Sequence, residues 1–145
     1  YRVFAICPAQ NGFVYFSTAY GVFYADSNNK VHAVPGLDEA SKTGTEMLEH
    51  NGQLWIGGQT GLRCYDIKSG RAKEMLPAGE IALLAVRGPL VYLKKKSLLY
   101  TFNHQSGSLI QIFHHYIDST RNTVSVFADV NEIWIRTERG LIWQQ

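Results

Sequence analysis

The chain has 145 residues, a length suited to one domain, and 46% hydrophobic with 18% charged residues is an ordinary globular balance rather than a disordered one. Its 14 basic and 12 acidic side chains leave a net charge of +2, scattered apart from Lys94-Lys95-Lys96, so the field that nucleic-acid binding needs is missing and no nucleic-acid partner is expected. The longest apolar run, Ile81 to Val86, falls far short of the ~20 residues of a membrane span, so no membrane contact is expected within this segment.

The chain starts at Tyr1 with no secretory pattern behind it, and reads as a processed or excised piece. Val3 to Ile6 predicts a first strand. Gly12 through Asp26 then holds two short apolar, β-prone runs on either side of Ala19-Tyr20, which is a hairpin signature, and Val31 to Val34 predicts a fourth strand. Asp38 to His50 is the one stretch that could hold a turn or two of helix, although Gly44 argues against a longer one and Glu46 to His50 also reads as a strand. Gly52 through Asp66 lines up with Gly12 through Asp26 without a gap at an offset of 40. Arg71 to Leu76 and Ala82 to Arg87 predict strands, followed by a weaker copy in which Gly88 to Leu93 and Ser97 to Tyr100 occupy the same places. There Ser97 stands where the other copies have glycine. Leu109 to His114 and Val124 to Ala128 follow, and Asn131 through Trp143 is a further sharp copy, so the offsets between successive copies are 40, 36 and 43.

Four strands per ~40 residues, repeated, is the arithmetic of a β-propeller blade. The predicted fold is all-β, a single partial propeller over 1–145 with blades at about 1–36, 37–77, 78–118 and 119–145 and inner strands starting at Val3, Glu46, Ala82 and Val124. Three blades are complete and the fourth stops after its third strand, whereas closed rings have about four to eight blades, so the chain reads as part of a larger ring. Raw edges at both ends invite pairing with a second copy, which makes a homodimer through exposed blade edges the expected association.

The run Asn51-Gly52-Gln53-Leu54-Trp55-Ile56-Gly57-Gly58-Gln59-Thr60-Gly61-Leu62-Arg63-Cys64-Tyr65-Asp66 resembles the two-component regulator propeller repeat: an Asn-rich turn, an aliphatic-Trp-Ile-Gly strand, Gly-Leu, and an aromatic-Asp close. Asn131 to Trp143 is similar, with Arg136 in place of the strand glycine, while the first copy has Tyr15 for Trp. The resemblance implies a slice of a periplasmic or other extracytoplasmic sensor region of a bacterial hybrid two-component regulator. There a polysaccharide fragment is bound outside and a histidine kinase responds inside. It implies no catalytic part in this segment and no cofactor.

Gly21, Gly61 and Gly140 open the third strands, where a residue without Cβ permits a tight turn, and Trp55 and Trp134 read as packing residues rather than ligand platforms. The loop between second and third strands differs in every copy: Ala19-Tyr20, Gln59-Thr60, Lys94-Lys95-Lys96 and Glu138-Arg139. Constant strands with changing loops suit a receptor, and Tyr20, Gln59, Arg136, Glu138 and Arg139 supply the aromatic, amide, guanidinium and carboxylate groups that hold an oligosaccharide or other small polyol. The three lysines read first as charge protecting a strand edge.

Asp26, Asp66, Asp118 and Asp129 fall at strand ends and read as turn formers. His114 and His115 are neighbours on a predicted strand and point to opposite faces, so no metal site is expected. Cys7 and Cys64 form no Cys-x-x-Cys motif; two separate core thiols are favoured over a disulfide between them. The competing functions are a propeller enzyme acting on glycans or lactones, which needs carboxylates or histidines converging near the axis, and a protein-interaction scaffold.

Overall fold

The computed structural model describes residues 2–37, 44–59, 61–77, 79–96, 98–112, 123–129, 131–137 and 140–144. All regular structure among them is β-strand, organised as four antiparallel meanders in two compact units, Tyr1–Ile81 and Ala82–Gln145.

In the first unit, β1 (Val3–Pro8), β2 (Val14–Thr18), β3 (Gly21–Ala25) and β4 (Val31–Ala33) form one sheet in chain order. The next sheet follows the same plan with β5 (Gly44–His50), β6 (Gln53–Gly58), β7 (Gly61–Asp66) and β8 (Arg71–Leu76). Side chains alternate across each strand, so one face of the first sheet carries Cys7, Tyr15 and Val22 into a core shared with Met47, Leu54 and Ile56 of the second. Val22 and Leu54 are completely buried, and each such side chain contributes roughly 1.5–3 kcal/mol relative to exposure.

The second unit repeats the pattern with β9 (Ala82–Arg87), β10 (Leu90–Lys95), β11 (Leu98–Asn103) and β12 (Leu109–Gln111), then a sheet of β13 (Thr123–Ala128), β14 (Ile133–Thr137) and β15 (Gly140–Gln144). Its core joins Ala85, Tyr92 and Leu99 to Ile133 and Ile135.

Short polar groups make the turns that set these registers. Asn51 and Gly52, at φ of 50° and 76°, close a two-residue hairpin of the kind Asn-Gly favours, and the Glu49 carboxylate accepts from the Gly52 N–H at 3.2 Å. The Asp26, Asp66 and Asp129 carboxylates each accept backbone N–H groups two to four residues on, so these three are turn formers as expected. Asn103 does the same in the third sheet.

Several expectations need correction. Residues 44–50 are a strand, not helix, and β5 begins at Gly44 rather than Glu46 because pairing continues through a bulge from Glu46↔Gly57 to Gly44↔Gly58. In the third sheet, Lys95 pairs with Leu98 just as Thr18 pairs with Gly21, Gly58 with Gly61 and Thr137 with Gly140. The glycine position is therefore held by Leu98 rather than Ser97, and the successive offsets are 40, 37 and 42. Lys96, at φ of 51°, takes the left-handed conformation at that turn. Lys94 and Lys95 do not protect an edge, since β10 is paired on both sides, with β9 and with β11. Ser97, His114, His115 and Asp118 lie outside the described residues.

Candidate functional site

The hairpins between second and third strands are held by backbone and hydroxyl contacts, which leaves their other side chains free to vary. At the first tip the Tyr20 N–H donates to Thr18 Oγ1 at 3.0 Å, and the Thr18 hydroxyl donates to the Gly21 carbonyl at 3.4 Å. At the last, Thr137 Oγ1 donates to the Gly140 carbonyl at 3.1 Å. A threonine opposite the strand-opening glycine is thus a hairpin lock used twice. The paired Thr18-x-x-Gly21 and Thr137-x-x-Gly140 spacing was the available sequence signal for it.

The second tip shows why glycine stands where it does. Gly61 has a φ of 98°, and a Cβ added there would run into the Leu76 and Pro77 carbonyl oxygens. Chain leaving β8 therefore presses against this hairpin. The Gly79 N–H donates to the Gln59 carbonyl at 3.2 Å and the Ile81 N–H to the Gly58 carbonyl at 3.1 Å. In the first sheet the exit is tied back likewise, with the Val22 N–H donating to Leu37 O at 3.2 Å. Hairpin tip and outgoing connection thus share one end of each sheet in this unit, which is the surface on which a binding loop can be held rigidly.

On that surface Tyr20 is 61% exposed and Gln59 is exposed. Arg136, on β14 of the second unit, is exposed, while Glu138 and Arg139 lie outside the described residues. Tyr20 also borders an apolar groove of about 520 Å³ on the open face of the first sheet, lined with Val3, Phe16, Thr18, Phe23 and Val31. Trp55 is buried and Trp134 half-buried.

Sequence reasoning missed a row of rings on the covered side of the first sheet. Phe13 stacks on Tyr24 at 5.1 Å and Tyr24 on His32 at 4.9 Å, while His32 Nε2 lies 2.9 Å from Asp26 Oδ2. The cross-strand pair Tyr24↔His32 creates this row, and it depends on a register that composition does not reveal.

The titratable groups sit in states suited to structure. The hydrogen bond from His32, then that from the Lys30 N–H, holds the Asp26 carboxyl below its ordinary range. The Ser69 and Glu132 N–H groups do the same chiefly for Asp66 and Asp129. Burial pushes the Cys64 thiol up to about 11 and raises Cys7 as well. Both cysteines are free and buried, the two separate core thiols favoured from the sequence. Among the described residues, no group of three or more His, Cys, Asp or Glu side chains is placed to hold a metal ion.

Neither a protein-family model nor a curated protein matches this chain. Solved structures do. The extracellular domain assigned to a one-component system of B. thetaiotaomicron superposes with a TM-score of 0.75 at 22% identity, over 97% of this chain and 21% of that one. The extracellular domain assigned to a hybrid two-component system of the same organism gives 0.69 at 18% identity, over 97% and 20%. Virginiamycin B lyase of Staphylococcus aureus, crystallised as an inactive variant with quinupristin, gives 0.64 at 13% identity, over 95% and 49%. The fold is therefore that of β-propeller sheets. The chain spans about a fifth of the length of the two B. thetaiotaomicron domains.

Proposed function

We propose that this chain is a ligand-recognition segment of an extracytoplasmic sensor in a two-component signalling receptor, and that its ligand is a carbohydrate fragment. The observation that carries this is the contrast within each sheet: strands, turn acids and hairpin locks recur, while the exposed tips change from Ala19-Tyr20 to Gln59, and β14 presents Arg136 one residue short of the last tip. A phenol, an amide and a guanidinium on rigid hairpins suit the stacking and hydrogen bonding by which polyols are held. The repeat motif at Asn51 to Asp66 and the likeness to extracellular domains of signalling systems support the same reading. The segment acts by binding: Asp26, Asp66 and Asp129 are occupied as turn acceptors and the Cys64 thiol stays protonated, which leaves these groups unsuited to acid, base or nucleophilic work.

Calorimetric titration of the chain with a panel of soluble oligosaccharides tests the proposal. Binding by at least one glycan is expected, weakened about tenfold or more in Tyr20→Ala/Gln59→Ala, since each lost ligand hydrogen bond or stacking contact is worth ~1 kcal/mol. Absence of binding across the panel, or binding indifferent to both substitutions, would refute it. The likeness to virginiamycin B lyase supports a second reading, a propeller lyase, which turnover of a bound glycan or lactone would establish instead.

A further inference from the structure

The sequence holds two Asn-Gly pairs, Asn11-Gly12 and Asn51-Gly52, and the fold treats them differently. Asparagine followed by glycine is a labile pair, because a glycine nitrogen can approach the asparagine side-chain amide with no Cβ in its way.

At the first pair every participating group is engaged. Asn11 Oδ1 accepts from the Phe13 N–H at 3.0 Å, Asn11 Nδ2 donates to the Tyr15 phenol at 3.4 Å, and the Gly12 N–H donates to the Ala9 carbonyl at 3.1 Å. The amide is fixed, and the nitrogen that would attack it is turned toward a neutral main-chain oxygen, which takes no proton.

The second pair closes the β5–β6 hairpin, and its reacting atoms face two groups able to move protons. The Gly52 N–H donates to the Glu49 carboxylate at 3.2 Å, and Asn51 Nδ2 lies 3.3 Å from His50 Nε2. One contact is on the nucleophile and the other on the leaving group, the placement that a general base and a general acid require. Asn51 is exposed, and a Cβ added at Gly52 would meet nothing within 4 Å, so the tip can turn to close a ring without displacing packed groups. This hairpin lies at the opposite end of its sheet from the Gln59 tip, since consecutive hairpins of a meander alternate ends.

We propose that Asn51 is a self-modification site at which the chain converts asparagine to aspartate and isoaspartate, with Glu49 as the base and His50 as the acid. Glu49 takes the Gly52 N–H proton as that nitrogen bonds to Asn51 Cγ. The Cγ–Nδ2 bond then breaks, and Nδ2 leaves as ammonia with a proton delivered from protonated His50. A five-membered succinimide remains, and water opens it at either carbonyl, so the net change is loss of ammonia and gain of water. Nothing is oxidised or reduced, and solvent carries the proton from Glu49 back to His50. Opening at the main-chain carbonyl gives isoaspartate, which adds one backbone atom to a two-residue turn that sets the pairs Glu49↔Leu54 and His50↔Gln53. Either product adds a negative charge. The reaction is independent of the carbohydrate proposal.

Peptide mapping by mass spectrometry, with enzymatic methylation to count isoaspartate, tests this on the 145-residue chain held folded in neutral buffer. Asn51 is expected to convert at least about tenfold faster than Asn11, less than the roughly 10²–10⁴ of a sealed site because water competes at the tip. Glu49→Gln keeps an oxygen that can accept the Gly52 N–H but cannot take its proton, and is expected to slow Asn51 by about tenfold with circular dichroism unchanged. His50→Gln removes the acid and is expected to slow it by a similar factor. In urea the two pairs should react at similar rates. Equal conversion of Asn51 and Asn11 in the folded chain overturns the proposal, as does a rate at Asn51 that either substitution leaves unchanged. A preference for Asn51 that persists in urea overturns it too, because neighbouring sequence and not the hairpin then sets the rate.

Discussion

Replacing Gly61 by alanine separates two physical penalties that usually arrive together. An alanine there must adopt a φ of 98°, which costs an L residue about 1–2 kcal/mol. Its Cβ must also displace the Leu76 and Pro77 carbonyls, backbone groups that cannot swing away as a flexible side chain would, and such overpacking adds roughly 1–3 kcal/mol. The expected loss for Gly61→Ala is therefore about 2–5 kcal/mol. Gly52 supplies the control, because it has a φ of 76° but nothing within 4 Å of an added Cβ. Gly52→Ala should lose only the conformational share, about 1–2 kcal/mol. Urea unfolding followed by tryptophan fluorescence measures both, and Trp55 reports from the strand beside Gly61. Equal losses in the two variants would refute the idea that chain leaving β8 presses on this hairpin.

Two further outcomes follow from the titratable groups. The Asp26 carboxyl is held below its ordinary value, so its contribution to stability is present above the unfolded carboxylate range and is lost as pH falls through the depressed folded value; Asp26→Asn should flatten the acid limb of a stability-against-pH curve, measured by urea midpoints across the acid range. The Cys64 thiol, pushed up to about 11, and the buried Cys7 should react far more slowly with a thiol-directed disulfide reagent at pH 8 in the folded chain than in urea, where both titrate at once.

Where the strands run was readable from the chain because short apolar, β-prone runs are ended by glycine, asparagine and aspartate. The hairpin at Gln53 to Asp66, buried on both faces, is such a pair of runs. The third copy shows where the same reasoning slips. Aligning Gly88 with Gly52 set the hairpin one residue out, whereas the left-handed φ of 54° at Gly88 answers to the 50° of Asn51. Conformation, not residue identity, is what the turn conserves, and asparagine and glycine both supply it. The expected edge role of Lys94 and Lys95 failed for a different reason: edge or interior position belongs to the whole sheet, and no single strand announces it. Tyr20 and Gln59 could be named as exposed tip residues because polar loops on a rigid scaffold face water. The groove behind Tyr20 could not, since it gathers Val3, Phe16 and Val31 from three strands whose cross-strand neighbours only the register supplies.

The two unlike faces of each sheet bear on how such a chain can change in length. A repeat that presents one half of an interface forward and the other half backward can be duplicated or deleted whole, and the new neighbours still meet as complementary halves. A fraction of a repeat breaks that rule, since it leaves a sheet without its full set of strands. In-frame duplications near 40 residues should therefore be tolerated in a gene of this type, whereas insertions of half that length within the strands should not. Variable hairpin tips travel with each copy, so every added sheet also brings a fresh loop to the hairpin end without disturbing the packing that supports it.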